Sequence, residues 1–231
     1  MKSPSAPHIL IAIDGPVSSG KTSLSNAVAK RLNILHIDTG AMYRAVGLAA
    51  IRLGILPEDK KKVSDMCEKG LVLVDVKFKD GMQVTLLNGE DVSTAIRAEN
   101  IGLAASTVSM FPKVRRYLVE RQRAIAQKQS VIMDGRDIGT VVLPNAPVKI
   151  FLTASAEVRA NRRFKQLKSK GVKADYKTIL EDLLKRDEQD TKRVHDPLRQ
   201  AEDAFLLDTS NLSFESSLQA ILDRVNTVYE K

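Results

Sequence analysis

The chain predicts an α/β fold of three layers, with helices packed on both faces of a five-stranded parallel sheet and a small antiparallel patch inserted. Three observations predict it. Five short apolar runs alternate with stretches of helical period. A glycine-rich turn joins the first run to the first helix. Between residues 71 and 100 the hydrophobic period switches to two, and two hairpin dipeptides appear.

The strands come first. "HILIAID" (8–14), "ILHID" (34–38), "SVIMDG" (130–135), "VKIFLTA" (148–154) and "AFLLDTS" (204–210) are apolar without clean alternation, as strands buried on both faces are. Asp14, Asp38, Asp134 and Asp208 stand near their C-terminal ends. Ligands of open α/β sheets bind outside those ends, so the four aspartates are expected to face one crevice.

The helices fall between them. Residues 20–32 set Leu24, Val28 and Leu32 at helical spacing, and 112–128 form a basic amphipathic helix that opens at a proline suited to a first turn. Another helix runs from near Ser155 to Gly171. The last, 215–231, places Leu218, Ile221, Leu222, Val225 and Val228 on one core-facing stripe. Within the insert, "LVLVDVKFKDGMQVTLLNGEDV" turns at Asp80-Gly81 and Asn88-Gly89. The expected division is a core of 1–70, an inserted subdomain of 71–105, and the rest of the core over 106–231.

Composition narrows the partners. The 231 residues are 43% hydrophobic but only 4% aromatic, without tryptophan, so the core must be aliphatic. A formal charge of +8 favours an anionic partner. The basic stretches "KVRRYLVERQR" and "RANRRFKQLKSK" carry one aromatic each, whereas single-stranded nucleic-acid binders interleave stacking aromatics, so nucleic acid is not expected. The single cysteine, Cys67, excludes an internal disulfide and reads as a small apolar filler. No apolar run reaches membrane-spanning length, and "MKSPSAP" lacks the apolar stretch of a signal peptide, so a cytoplasmic location and no membrane partner are expected.

The turn after the first strand is "GPVSSGKT" (15–22), matching G-x-x-x-x-G-K-[ST] with a strand before it and a helix after it. In such a P-loop, successive N–H groups from Gly15, Pro16, Val17, Ser18, Ser19, Gly20, Lys21, Thr22 and Ser23 (Pro16 supplying only the turn) surround phosphate oxygens at a helix N-terminus. Lys21 is expected to reach the β/γ-phosphates of a nucleoside triphosphate, and the Thr22 hydroxyl to ligate Mg²⁺. The guanine-reading Asn-Lys-x-Asp is absent from the sequence. A kinase with a separate acceptor site is therefore expected.

Candidate acceptor residues follow the other strands. "DTGAMYR" (38–44) offers Asp38, Thr39, Tyr43 and Arg44, the last a guanidinium able to clamp phosphate. "DGRDIGT" (134–140) sets Arg136 between Asp134 and Asp137, which would hold it in one rotamer. Arg159, Arg162 and Arg163 share one helix face at i, i+3, i+4, and Arg186, Asp190 and Arg193 share another at i, i+4, i+7. Phosphoryl transfer spreads charge over equatorial oxygens, which positioned guanidiniums neutralise, and Lys21, Arg136, Arg162 and Arg186 are the catalytic candidates.

In order and spacing, "GPVSSGKT", "DTGAMYR", "FPKVR", "DGRDIGTVV", "PVKIFLTAS" and "KRDEQD" resemble the bacterial cytidylate kinases over nearly the whole chain. The resemblance implies a nucleoside-monophosphate-kinase fold with a mobile lid, here about 157–193, CMP and dCMP as acceptors, ATP as donor, and a monomer. It further implies that Thr39 and Arg44 contact the acceptor, and that Arg115, with Ser106 nearby, stands on the cytosine side. Arg136 and Asp137 would meet acceptor phosphate and sugar. Arg186, Asp190 and Arg193 match a set in which arginines grip phosphate and an aspartate reads sugar hydroxyls. Where many relatives carry a different small pair after Gly20-Lys21, this chain has Thr22-Ser23.

Overall fold

The computed structural model describes residues 8–229. The opening "MKSPSAP" and the last two residues of the expected terminal helix lie outside the described residues. Strand β1 (Leu10–Asp14) leads through the phosphate loop into α1 (Lys21–Leu32), and β2 (Leu35–Asp38) passes directly into α2 (Thr39–Arg52), followed by α3 (Lys60–Glu68). The insert is β3 (Val74–Lys79), β4 (Met82–Leu87), β5 (Glu90–Asp91), a 3₁₀ turn at Ala95–Arg97 and α4 (Glu99–Val108). The expected boundary after residue 105 thus falls within a helix. The chain returns by α5 (Pro112–Ala126) to β6 (Val131–Gly135), a π-helical turn at Ile138–Val142, and β7 (Val148–Thr153). A helical pair, α6 (Ala156–Ser169) and α7 (Tyr176–Lys192), precedes β8 (Phe205–Asp208) and α8 (Phe214–Tyr229).

All five predicted strands join one parallel sheet, in the order β2-β6-β1-β7-β8. Side-chain alternation explains their unbroken apolar runs. Ala12, Ile37 and Met133 face a core shared with Met42 and Val46 of α2, Val63 of α3 and Leu118 of α5. Ile11, Ile13, Ile132, Ile150 and Leu152 face the opposite core, with Leu24 and Val28 of α1 and Ile221, Leu222 and Val225 of α8. Each such fully buried aliphatic side chain contributes roughly 2–3 kcal/mol, so the sheet is a rigid platform for whatever its C-terminal edge carries. Cys67 sits in the first of these cores, where burial pushes its thiol up to about 11. It is an inert filler at neutral pH.

Both hairpin dipeptides turn as their chemistry requires. Asp80 and Gly81 have φ of 52° and 73°, Asn88 and Gly89 of 51° and 87°, and the three strands pair antiparallel as β3-β4-β5. Paired positive φ matches the strand twist, which is why these dipeptides serve as hairpin turns. The insert is joined to the sheet by Gln83 of β4. Its side-chain amide accepts from the Asp38 backbone N–H at 2.8 Å and donates to the Asp38 carbonyl at 3.3 Å. The α6–α7 pair has a small core of its own, Ala160, Ile179 and Leu183, with Val17 of the phosphate loop and Phe164 packed against it.

Candidate functional site

A cleft of about 630 Å³ opens at the C-terminal edge of the sheet, between the phosphate loop, the insert and the α6–α7 pair. Its floor is the loop after β1. Gly15 is required there because a Cβ at this position would stand 2.0 Å from the Leu152 carbonyl oxygen of β7. That close approach lets the chain curl into α1, whose N-terminus carries no side-chain cap. Its first N–H groups are therefore left for an anion. Val17 to Ser23 line the cleft, while Gly15 and Pro16 stand behind it. The Pro16 carbonyl accepts from Lys21 Nζ at 2.6 Å. Lys21 is buried and makes no ion pair with a carboxylate among the described residues, and burial, reinforced by Arg136, pushes its ammonium well below the ordinary lysine range. Nearby anionic oxygens would restore it.

Thr22 Oγ1 donates to Asp134 Oδ2 at 2.8 Å, and His36 Nε2 lies 2.6 Å from Asp134 Oδ1. Burial opposes ionisation of Asp134, but His36, Lys21 and Thr22 together hold it below the usual carboxylate range. Asp38, beside it, is pushed up by burial and by the Asp134 charge. An ionised carboxylate and a hydroxyl in contact suit Mg²⁺, which takes few protein oxygens and completes its octahedron with water and phosphate. Among the described residues no cluster of three metal-ligating acids, histidines or cysteines exists. The residues fit an ion brought in with a nucleotide rather than a resident one.

Across the cleft stand Thr39, Tyr43, Arg44, Arg97, Ser106, Arg115, Arg136, Asp137, Arg162, Arg163, Arg186, Asp190 and Arg193. Thr39 Oγ1 donates to the Asp134 carbonyl at 2.8 Å, and Arg44 Nη1 to the Ile96 carbonyl at 3.2 Å. Ser106 Oγ donates to Gln189 Oε1 at 3.3 Å. Arg136 donates through Nε to Asp190 at 2.7 Å, and this pairing outweighs burial and keeps Arg136 firmly charged. Arg186 has no such partner among the described residues. Burial first, then Arg136, bring it down to about 10, and its Nε is buried without a hydrogen bond. Tyr43 lies under Arg115, whose guanidinium carbon is 5.9 Å from the ring centre. Arg162 reaches over the loop to the carbonyls of Ser19, at 3.0 Å, and Thr209, at 2.8 Å. In all, nine basic side chains and four carboxylates line the cleft. That excess makes it an anion site by charge alone.

Three expectations differ from the structure. Asp14 does not face the cleft; its buried carboxylate accepts from the backbone N–H groups of Ile138 and Gly139 at 2.6 and 2.7 Å, and so shapes the π-helical turn. Asp208 is exposed and accepts from Ser210. Arg159 shares a helix face with Arg162 and Arg163 but turns from the cleft to Asp187, at 2.6 Å, because that carboxylate of α7 stands opposite it. The structure also adds residues that the motifs omit. Arg97 lines the cleft, as do Thr209, Leu212 and Phe214 just beyond β8, while Arg163 of the expected arginine row lines it as well. The rule that ligands lie past strand C-termini, applied to the fifth strand, would have found that last group.

The sequence model of the family described as "Cytidylate kinase" matches residues 11–227. A cytidylate kinase of Caldicellulosiruptor bescii is 49% identical over 93% of this chain and 94% of that protein. One of Citrifermentans bemidjiense is 47% identical over 91% of this chain and 90% of that protein. Among solved structures, a gluconokinase from Sinorhizobium meliloti matches with a TM-score of 0.50 at 14% identity, covering 98% of this chain and 96% of that one. At that identity the likeness speaks for the fold alone.

Proposed function

The chain belongs to the cytidylate kinase family and is therefore a phosphotransferase that acts on CMP, and from that premise we propose how its cleft is divided and what it takes. ATP is the donor and CMP or dCMP the acceptor, giving ADP and CDP or dCDP. The observation that carries the reading is Lys21, buried in the P-loop without a carboxylate partner among the described residues and with an uncapped helix N-terminus beside it. The β/γ-phosphates supply the missing anion. The half-exposed Leu212 and Phe214, beside Arg162, offer the donor's purine an apolar flank. Thr22 and Asp134 would hold the Mg²⁺ of the bound nucleotide, which would supply charge neutralisation at the phosphates.

On the acceptor side the 5′-phosphate lies among Arg44, Arg136 and Arg186, the sugar near Asp190, and the base near Ser106, Arg115 and Asp137. An acceptor phosphate is already an anionic nucleophile, so no strong general base is required. Positioning and charge neutralisation do the work: Lys21, Arg136, Arg162 and Arg186 face the oxygens on which charge develops. The α6–α7 pair acts as a lid that excludes water. Among the described residues no helix is long and apolar enough to cross a membrane.

Turnover of CMP, dCMP, UMP, AMP and shikimate, read by coupled ADP release, tests the assignment. CMP and dCMP should lead, and Lys21→Ala should lower CMP turnover at least ~10²-fold while the melting transition remains. Preference for AMP or shikimate, or full activity in Lys21→Ala, would overturn it.

A further inference from the structure

Four charged groups from three parts of the fold close a ring on the acceptor side. Arg115 of α5 pairs through Nη2 with Asp137, which begins the π-helical turn. Asp137 Oδ1 faces Arg193, the residue ending α7, at 3.5 Å. Arg193 Nε donates to the backbone carbonyl of Asp196 at 2.6 Å, and the Asp196 carboxylate accepts from Arg115 Nε at 2.7 Å. Asp196 holds a φ of 51°, a conformation uncommon for any residue but glycine. It also immediately precedes Pro197, which restricts its backbone further. Its side chain and its carbonyl thus serve two different arginines at once, and neither contact survives if the loop relaxes.

We propose that Asp196 is a positioning residue that couples docking of the α6–α7 lid to the readiness of the acceptor site. It does not line the cleft, so it acts only through Arg115 and Arg193, which do. With the lid docked, Asp196 fixes the rotamers of both guanidiniums and balances their charge, leaving Asp137 aimed at the acceptor's base. The loop carrying Asp196 is tied to α7 by the Leu198 N–H, which donates to the Asp190 carbonyl at 2.8 Å, so with the lid away Asp196 leaves with it, and Arg115 keeps only Asp137 and the Ser109 carbonyl. The acceptor therefore favours the docked lid, although the lid also covers the donor. This rests on the acceptor assignment above.

The test separates side chain from backbone. Asp196→Gly keeps the positive φ and the carbonyl but removes the carboxylate; Asp196→Asn keeps an acceptor oxygen for Arg115 but not its charge. The KM for CMP should rise at least ~10-fold in Asp196→Gly and less in Asp196→Asn, with the KM for ATP within about twofold of the wild type. The preference for CMP over UMP should narrow in parallel. Equal rises in both KM values, or a CMP KM unchanged in Asp196→Gly, would overturn the proposal. A second readout needs no substrate. The Nε–H proton of Arg115 should exchange with water faster in ligand-free Asp196→Gly than in the wild type, and equal exchange would also overturn it. Absence of CMP turnover in the wild type would instead strike the acceptor assignment, and the exchange measurement would still decide the role of Asp196.

Discussion

Arg186 shows how a single buried cation can be chosen for its chemistry rather than its charge. The site costs any cation heavily, since burial and the Arg136 charge bring Arg186 down from the ordinary arginine range to about 10. A guanidinium survives that penalty and is still protonated throughout the physiological range. A lysine would not. Its ammonium starts lower and would be pushed down further by the same burial, toward the neutral range. A cation whose folded value is lowered is lost as pH rises through that value. Arg186→Lys should therefore retain part of the kcat/KM for CMP at pH 6.5 and lose at least ~10-fold more of it by pH 9. The wild type should lose less over the same window. A pH–rate profile of the variant parallel to the wild type would show that Arg186 is not desolvated in the working enzyme.

Among the elements, the α6–α7 pair is the least anchored by packing. Three buried side chains, Ala160, Ile179 and Leu183, make up its own core. What ties it to the body is polar: Arg159 to the Val17 carbonyl, Arg162 to the Ser19 carbonyl, Asp190 to Arg136 and Arg193 toward Asp137. Segments with few buried apolar contacts open at lower free energy than the core they rest on. Leu183→Ala should thus weaken the pair by about 2 kcal/mol, the low end for a buried leucine because the cluster is thin. Amide exchange should quicken across 156–192, while β1, β6 and β7 keep their protection. If protection fell equally in the sheet, the pair would be part of the global folding unit and not a separable lid.

For the molecule as a whole, what the sequence discloses and what it conceals divide along one physical line. The sheet was legible because strand burial is written locally, in unbroken apolar runs, and the hairpins because Asp80-Gly81 and Asn88-Gly89 carry their own backbone geometry. Partners across the fold were not. His36 meets Asp134 from 98 positions away and Arg115 meets Asp196 from 81. Helical spacing put Arg159 on the face of Arg162 without telling that Asp187 would stand opposite. A strand's end located Asp14 but not the direction of its side chain. Net charge was legible as a number and misleading as a location, because +8 could have belonged to a nucleic-acid surface. Instead much of the basic excess lines one cleft, nine cations against four carboxylates. Such a cleft focuses its field on the approach of small anions, and salt screens that field within about a Debye length, ~10 Å at 0.1 M. Raising KCl from about 25 to about 250 mM should lower kcat/KM for both ATP and CMP at least ~3-fold, because encounter is weakened. The bound phosphates are shielded from solvent, so kcat should stay within about twofold. A kcat that fell with salt while kcat/KM held steady would place the charge to work after binding, in the transfer itself, and not in drawing the substrates in.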